Sequence, residues 1–101
     1  MIILAITAVI RVRPGCEQTM HDALLAVASN ARDNEPGTVD YFVSQDAQDP
    51  CVFTTYERYA DREAMERHNG SEAVARFFAL AKPMLDGGVT VVTANEVFAS
   101  R

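Results

Sequence analysis

Two side chains in the stretch 52–78 could move a proton, namely Glu57 and His68. An imidazole exchanges protons near neutral pH, and a carboxylate can do so when its surroundings are apolar. Either group could take a proton from a substrate oxygen and leave an oxyanion. The protein must then supply a base, a polar contact for the oxyanion and a dry cavity with aromatic walls.

Five further residues are candidates for binding such a substrate. They combine aromatic bulk, one hydroxyl and one thioether, and comprise Phe42, Phe53, Thr55, Tyr59 and Met65. Ordinary packing between subunits explains Phe53, Thr55 and Tyr59, which share one face of a strand, equally well.

Each candidate base also has a simpler interpretation. His68 could stabilise the C-terminal dipole of a short helix instead of facing a substrate. Glu57 could form a salt bridge with an arginine, within the chain or across a subunit interface. The residue types alone leave both alternatives open.

The apolar periodicity predicts the elements that must position these side chains. Strict alternation predicts strands, and apolar residues three and four positions apart predict helices. Asp61 and Ser71 are suitable N-caps for two successive helices, and Gly70 is a suitable stop between them. The predicted strands cover 2–12, 38–45, 51–59 and 89–98, and the predicted helices cover 17–32, 62–69 and 72–85.

This order predicts a ferredoxin-like split βαβ fold, in which an antiparallel α+β sheet carries its helices on one face. The strands have apolar residues on both faces, so we expect a homodimer in which the open sheet faces meet. The predicted hairpin pairs Val43 with Val52 and puts Tyr56 on the helix-covered face. Glu57 and Tyr59 would then face a cavity between the subunits.

Composition argues against several partners and compartments. The 101 residues predict one domain, 1–101, and the net charge of -5 argues against nucleic acid and anionic membranes. The apolar run 1–10 is too short to span a bilayer and has no basic leader, so we expect a cytoplasmic protein. The two histidines and two cysteines have no metal-ligand spacing, and no glycine-rich phosphate loop is present. We therefore expect neither a metal nor another cofactor.

Short motifs along nearly the whole chain resemble those of the antibiotic biosynthesis monooxygenase (ABM) family. They comprise Arg11-Val12-Arg13-Pro14-Gly15, Glu35-Pro36-Gly37, Asp49-Pro50, Tyr56-Glu57 with Tyr59, His68, Ser71 and Phe77-Phe78. The resemblance implies a dimeric α+β barrel. It leaves the activity open, because the family includes cofactor-free oxygenases of anthrones and quinols, haem-degrading enzymes, an isomerase of a phosphorylated sugar and proteins without an assigned activity.

The sequence also departs from individual branches of that family. Ala73 replaces a second histidine of some members, which weakens the resemblance to the isomerase. Thr55 and Tyr59 stand where anthrone oxygenases have asparagine and tryptophan, and Met65 stands where they have a tyrosine. The helix predicted at 72–85 has no histidine, so the resemblance does not imply haem binding.

Three functions follow as hypotheses. The first is a cofactor-independent monooxygenase that uses O2 to oxidise a quinol, anthrone or related phenolic, with His68 or Glu57 as the base. The second is an isomerase of a small hydroxyketone or phosphohydroxyketone, in which the same base moves a proton next to a carbonyl. The third is a dimeric binding or stress module without catalysis.

Overall fold

The computed structural model describes residues 2–101, and Met1, the first residue of the predicted domain and of the apolar run, lies outside them. Strands and helices follow one another in the predicted order. The strands are β1 (Leu4–Arg11), β2 (Thr38–Gln45), β3 (Val52–Tyr59) and β4 (Thr90–Asn95). The helices are α1 (Glu17–Asn34), α2 (Arg62–Asn69) and α3 (Glu72–Ala81), the last followed by a short 3-10 helix, Lys82–Met84.

The strands form one antiparallel sheet in the order β2-β3-β1-β4, with helices packed on one face. This confirms the predicted ferredoxin-like α+β fold. Apolar side chains of β1, β3, α1 and the α3 region meet between the layers, and the buried members are Ile10, Val12, Met20, Leu24, Phe53, Ala81 and Met84. No helix within residues 2–101 is long and apolar enough to cross a membrane.

A hydrogen bond at each end defines the bounds of the short helix α2, which carries His68. The Asp61 carboxylate accepts the backbone N–H of Ala64 at 2.8 Å, and so satisfies one free donor of the first turn. The backbone N–H of Gly70 bonds to the Glu66 carbonyl at 2.9 Å and ends the helix where the sequence predicts. His68 therefore lies in the last turn of α2.

Three elements end earlier than predicted, and β1 does so by one residue, at Arg11. α3 stops at Ala81, because Pro83 lies in the following turn and cannot continue the α-helical hydrogen bonding. β4 stops at Asn95, because its partner β1 begins at Leu4, directly opposite. The apolar residues that follow, Val97 and Phe98, are 95% and 80% exposed.

The predicted register of the β2–β3 hairpin is wrong. Val43 pairs with Thr55 instead of Val52, and Tyr41 pairs with Glu57. The pairing is thus displaced by three residues, and an odd displacement exchanges the two faces of a strand. Tyr56 consequently lies on the open face, whereas Glu57 lies beneath the helices and is 6% exposed.

The connecting loop explains this displacement. The Asp46 carboxylate accepts the backbone N–H groups of Gln48 and Asp49, at 3.0 and 2.8 Å. Asp49 in turn accepts the N–H of Cys51 at 3.0 Å. These side-chain bonds keep residues up to Cys51 in the loop, so that β3 begins at Val52.

One face of the sheet has no helix over it. Val9, Phe42, Tyr56 and Val92 lie there and are exposed, so this face of β1 is not covered within the chain. We call this surface the open face.

Candidate active site

Glu57 lies in the middle of β3 with a hydroxyl donor on either side. Thr55 Oγ1 donates to Glu57 Oε2 at 2.7 Å, and the Tyr59 hydroxyl donates to Oε1 at 2.5 Å. Side chains two residues apart on a strand point the same way, which is why these three converge. Both carboxylate oxygens are therefore engaged by donors of the same strand.

Two tyrosines beside Glu57 remain protonated. Burial, followed by the charge of Glu57, raises the pKa of Tyr41 and of Tyr59 above the usual tyrosine value. Their hydroxyls are accordingly neutral donors and not phenolates. This arrangement surrounds the carboxylate with polar groups while keeping it buried.

His68 lies in the last turn of α2 and is 3% exposed. Its Nδ1 atom is 2.7 Å from Glu35 Oε1, and its Nε2 atom is 3.9 Å from Glu57 Oε1. An ionised carboxylate can only accept, so the short contact places a proton on Nδ1, and Nε2 is the nitrogen that can exchange a proton with a substrate. The rings of Tyr41 and Tyr59 flank the imidazole, each with its centroid 5.4 Å away.

Glu35 is held in place by its own neighbours. The Thr38 hydroxyl donates to Oε1 at 2.8 Å, and the Asn30 amide donates to Oε2 at 3.2 Å. The next turn brings Gly37 against α2, where an added Cβ would lie only 2.5 Å from the Ala64 Cβ atom. This close approach of β2 to α2 lets Glu35 reach the imidazole.

A cavity of about 150 Å³ lies between the sheet and the helices, with His68 and Glu57 in its wall. Its apolar lining comes from β1, β4, α1 and the α3 region, and its polar groups come from β2, β3, β4 and α2. The lining residues are Ile6, Ala8, Ile10, Leu24, Val27, Tyr41, Thr55, Glu57, His68, Asn69, Val74, Phe77, Phe78, Ala81, Leu85, Val89, Val91 and Thr93.

The structure brings together some of the predicted site residues but not all. His68, Glu57 and Thr55 line the cavity, and Tyr59 contacts it indirectly through its bond to Glu57. Phe53 and Met65 are buried in the packing on the helical side of the sheet, outside the cavity wall. Phe42 lies on the open face, where its ring stacks on Tyr56 with centroids 6.4 Å apart.

The predicted location of the cavity between two subunits is wrong. The hairpin register places Glu57 and Tyr59 under the helices of their own chain, so a single chain forms the walls around the candidate base. Glu57 forms no salt bridge with an arginine of its own chain among the described residues. Arg58, the next residue, bonds Glu96 and Asp40 instead, at 2.8 and 2.5 Å.

Sequence reasoning missed three residues of the site. Glu35 was named only as part of the Glu35-Pro36-Gly37 motif, and Tyr41 and Asn69 were not among the candidates. The Glu35-Pro36-Gly37 motif was the available signal, because a fixed turn immediately before a strand can place a carboxylate at the layer interface. Contact with a histidine on a distant helix cannot be read from either segment alone.

The structure within residues 2–101 contains no cluster of histidine, cysteine, aspartate or glutamate side chains arranged to hold a metal ion. Cys16 and Cys51 are free thiols.

Comparisons with known proteins agree with this architecture. The sequence model described as antibiotic biosynthesis monooxygenase matches residues 3–80. Among solved structures, PA3566 of Pseudomonas aeruginosa has 26% identity and a TM-score of 0.88, with 97% of each chain covered. Rv0793 of Mycobacterium tuberculosis has 24% identity and a TM-score of 0.89, covering 98% of this chain and 99% of that one. A conserved Methanosarcina mazei protein has 22% identity and a TM-score of 0.85, with 93% and 92% covered. No curated protein matches the sequence.

Proposed function

The chain belongs to the antibiotic biosynthesis monooxygenase family, and on that premise we propose that it is a cofactor-independent monooxygenase that oxidises a quinol or related phenolic with O2. The observation that carries this proposal is the position of His68. Its Nδ1 atom is fixed by Glu35 at 2.7 Å, while the ring lines an otherwise largely apolar cavity.

The first step is removal of the phenolic proton by His68 Nε2. Glu35 orients the ring and stabilises the imidazolium that forms, as a carboxylate does for a catalytic histidine generally. Glu57 Oε1, 3.9 Å from Nε2, adds a second negative charge near the imidazolium. Tyr41 and Asn69 are the candidate donors to the substrate oxygens, whereas Thr55 Oγ1, whose hydrogen is donated to Glu57, can only accept from a substrate hydroxyl.

The phenolate then transfers an electron to O2, and recombination of the pair forms a carbon–oxygen bond as a ring peroxide. The peroxide takes the proton held by His68, and the ring carbon then loses its own proton as the O–O bond breaks. One oxygen atom stays on the ring as a carbonyl, and the other departs as water with those two protons. The substrate supplies all the electrons, so a hydroquinone becomes a hydroxyquinone. The apolar walls support this chemistry, because they keep bulk water away from the anion and the radical pair.

The composition of the cavity wall favours a phenolic over a phosphorylated substrate. The lining contains six polar side chains, but no lysine or arginine is among these described residues. A phosphate group needs cationic or clustered N–H donors to offset the loss of its hydration. The isomerase alternative with a phosphohydroxyketone is therefore less well supported.

We also propose that two chains form a homodimer through the open face. Val9, Phe42, Tyr56 and Val92 expose apolar surface there, and an extended apolar surface of this kind marks an interaction site. Val97 and Phe98, just beyond β4, are also exposed apolar residues. Since the cavity is formed by one chain, the dimer would stabilise the sheet and not complete the base.

Oxygen uptake tests the catalytic proposal. Purified protein is supplied with a panel of hydroquinones. O2 consumption is measured in aerobic samples, and product mass is measured in both aerobic and anaerobic samples. We expect one O2 per product molecule, with one oxygen atom from labelled O2 in the product. Turnover that continues without O2, or no turnover of any phenolic, would contradict the proposal and favour isomerisation or a binding role.

A further inference from the structure

We propose that this site selects a substrate with one aromatic ring, bound with a hydroxyl at its polar end and an apolar substituent at the other end. The inference rests on the proposed function for the identity of the reacting group. The size limit itself is a property of the cavity and can be tested by binding alone.

The volume of the cavity sets the limit on ring number. It encloses about 150 Å³, whereas pockets for drug-sized ligands enclose about 300–1,000 Å³. An apolar cavity of about 150 Å³ in another protein accommodates one benzene molecule. A fused two- or three-ring substrate would therefore have to displace side chains of the wall.

The wall offers little room for such displacement. Leu24, Val27 and Val74 form part of the helical side of the cavity and are all buried, with 2% to 8% of their surface exposed. Packed side chains of this kind shift only at a cost in free energy. The ring should therefore meet a fixed boundary on the helical side.

The register of the sheet defines the two ends. Tyr41, Glu57, Ile6 and Thr93 stand opposite one another across β2, β3, β1 and β4, so three of the four residues in this row are polar. His68 contacts the same row through Glu57. This end matches the hydroxyl group of the substrate.

The opposite end of the cavity is apolar. Ile10 lies four residues further along β1, about 13 Å away at the rise of a strand, and Ala81, Leu85 and Val89 accompany it in the wall. No charged residue belongs to this part of the described lining. An alkyl substituent on the ring would be buried here, whereas a second hydroxyl or a carboxylate would lose its hydration without a partner.

An opening between α3 and β4 gives a substrate access. Phe78 and Val91 line the cavity, yet they are 52% and 55% exposed, so both belong to its mouth. β4 is an edge strand of the sheet, and all six of its residues are exposed. A larger ring system could touch this mouth, but its reacting hydroxyl would remain away from His68.

Anaerobic binding measurements test the size limit. The dissociation constants of methylhydroquinone, a dihydroxynaphthalene and anthrone are measured by calorimetry in the absence of O2. We expect methylhydroquinone to bind at least about tenfold more tightly than anthrone, because the extra rings overfill the cavity. Anthrone binding as tightly as methylhydroquinone, or no binding of any of the three, would overturn the inference.

A variant with a wider cavity provides the second arm. Phe77→Ala removes a ring from the wall and should reduce the ratio between the dissociation constants of anthrone and methylhydroquinone. Leu80→Ala, on the same helix but outside the cavity wall, is the matched control and should leave the ratio unchanged. If Phe77→Ala does not fold, Phe78→Ala at the exposed mouth serves instead. An unchanged ratio in the folded wall variant would overturn the inference.

The size limit and the oxygenase proposal fail in different ways. Selective binding of methylhydroquinone without O2 uptake would leave the size limit standing and contradict the oxygenase. O2 uptake with anthrone but not with methylhydroquinone would leave the oxygenase standing and overturn the size limit.

Discussion

His68 Nδ1 lies 2.7 Å from Glu35 Oε1, although 33 positions separate the two residues in the chain. The contact joins the turn before β2 to the last turn of α2, and it leaves the second ring nitrogen for the cavity. It distinguishes this histidine from one that only interacts with a helix dipole, since a dipole interaction requires no fixed carboxylate partner. We infer that Glu35 is a positioning residue, acting on the substrate through His68.

Replacing Glu35 by glutamine tests this role. Glu35→Gln keeps the size of the side chain but removes the charge that holds the proton on Nδ1 of the imidazole and stabilises the imidazolium. We expect kcat to fall by about 100-fold or more with little change in KM. Steady-state kinetics with a quinol substrate measures both. Glu63→Gln, an exposed position on α2, is the matched control, and an equal loss in the two variants would contradict the assignment.

Gly37→Ala should disturb the same contact through the backbone. The added methyl group would lie 2.5 Å from the Ala64 Cβ atom and push β2 away from α2. We expect the free energy of unfolding to fall by about 1–3 kcal/mol, together with a loss of kcat. Denaturant unfolding measures the stability. Gly88→Ala, where nothing lies within 4 Å of the added Cβ, should change neither property.

Tyr59 makes stability depend on pH in the alkaline range. Its raised pKa means that the folded chain keeps this proton above pH 10.0, the usual tyrosine value, where the unfolded chain loses it. The folded state then binds more protons, so the free energy of unfolding falls as pH rises, by up to about 1.4 kcal/mol per pH unit for this group.

Tyr59→Phe should therefore weaken the alkaline decline. At neutral pH the variant lacks a hydrogen bond to a carboxylate, which lowers its free energy of unfolding by about 1.5–3 kcal/mol. Above about pH 10 the difference in free energy of unfolding between the variant and the parent protein should become smaller. Urea unfolding between about pH 8 and pH 11 measures the two slopes. Tyr56→Phe on the open face controls for the loss of one tyrosine; the same slope change in both variants would count against the assignment.

Phe42→Asp separates the dimer from the cavity. A charge on the open face should oppose association of two sheets, while the binding of a single-ring hydroquinone should remain, because Phe42 lies on the other side of the sheet from His68. Sedimentation equilibrium and calorimetry measure the two properties. Leu80→Asp on α3 is the control for an added surface charge. If Phe42→Asp separates the dimer and also abolishes hydroquinone binding, the partner subunit completes the site.

Local signals in the sequence were sufficient for most of the fold. The bounds of β2 and α2 match the prediction, because Pro36-Gly37, Asp61 and Gly70 define their ends by short-range chemistry. Pro83 was correctly recognised as a break, although the helix ended before it and a 3-10 helix followed.

The relation between the elements was harder to predict. The side-chain bonds of Asp46 extend the hairpin loop and shift the register by three residues, which moved Glu57 and Tyr59 from the open face to the helical side. His68 lines the cavity in spite of this error, because its position was predicted from its helix and not from the hairpin. Its contact with Glu35 depends on the packing of α2 over β2, which no local pattern encodes.

The central claim is that His68 takes the phenolic proton in a cavity formed by one chain. Its most direct test is the rate of O2 uptake with methylhydroquinone in His68→Gln, compared with His21→Gln, which alters the exposed histidine of α1. We predict a loss of about 100-fold or more in His68→Gln, with binding of the quinol retained and His21→Gln unaffected. Uptake by His68→Gln at the parent rate, in a protein that still binds the quinol, would contradict the account.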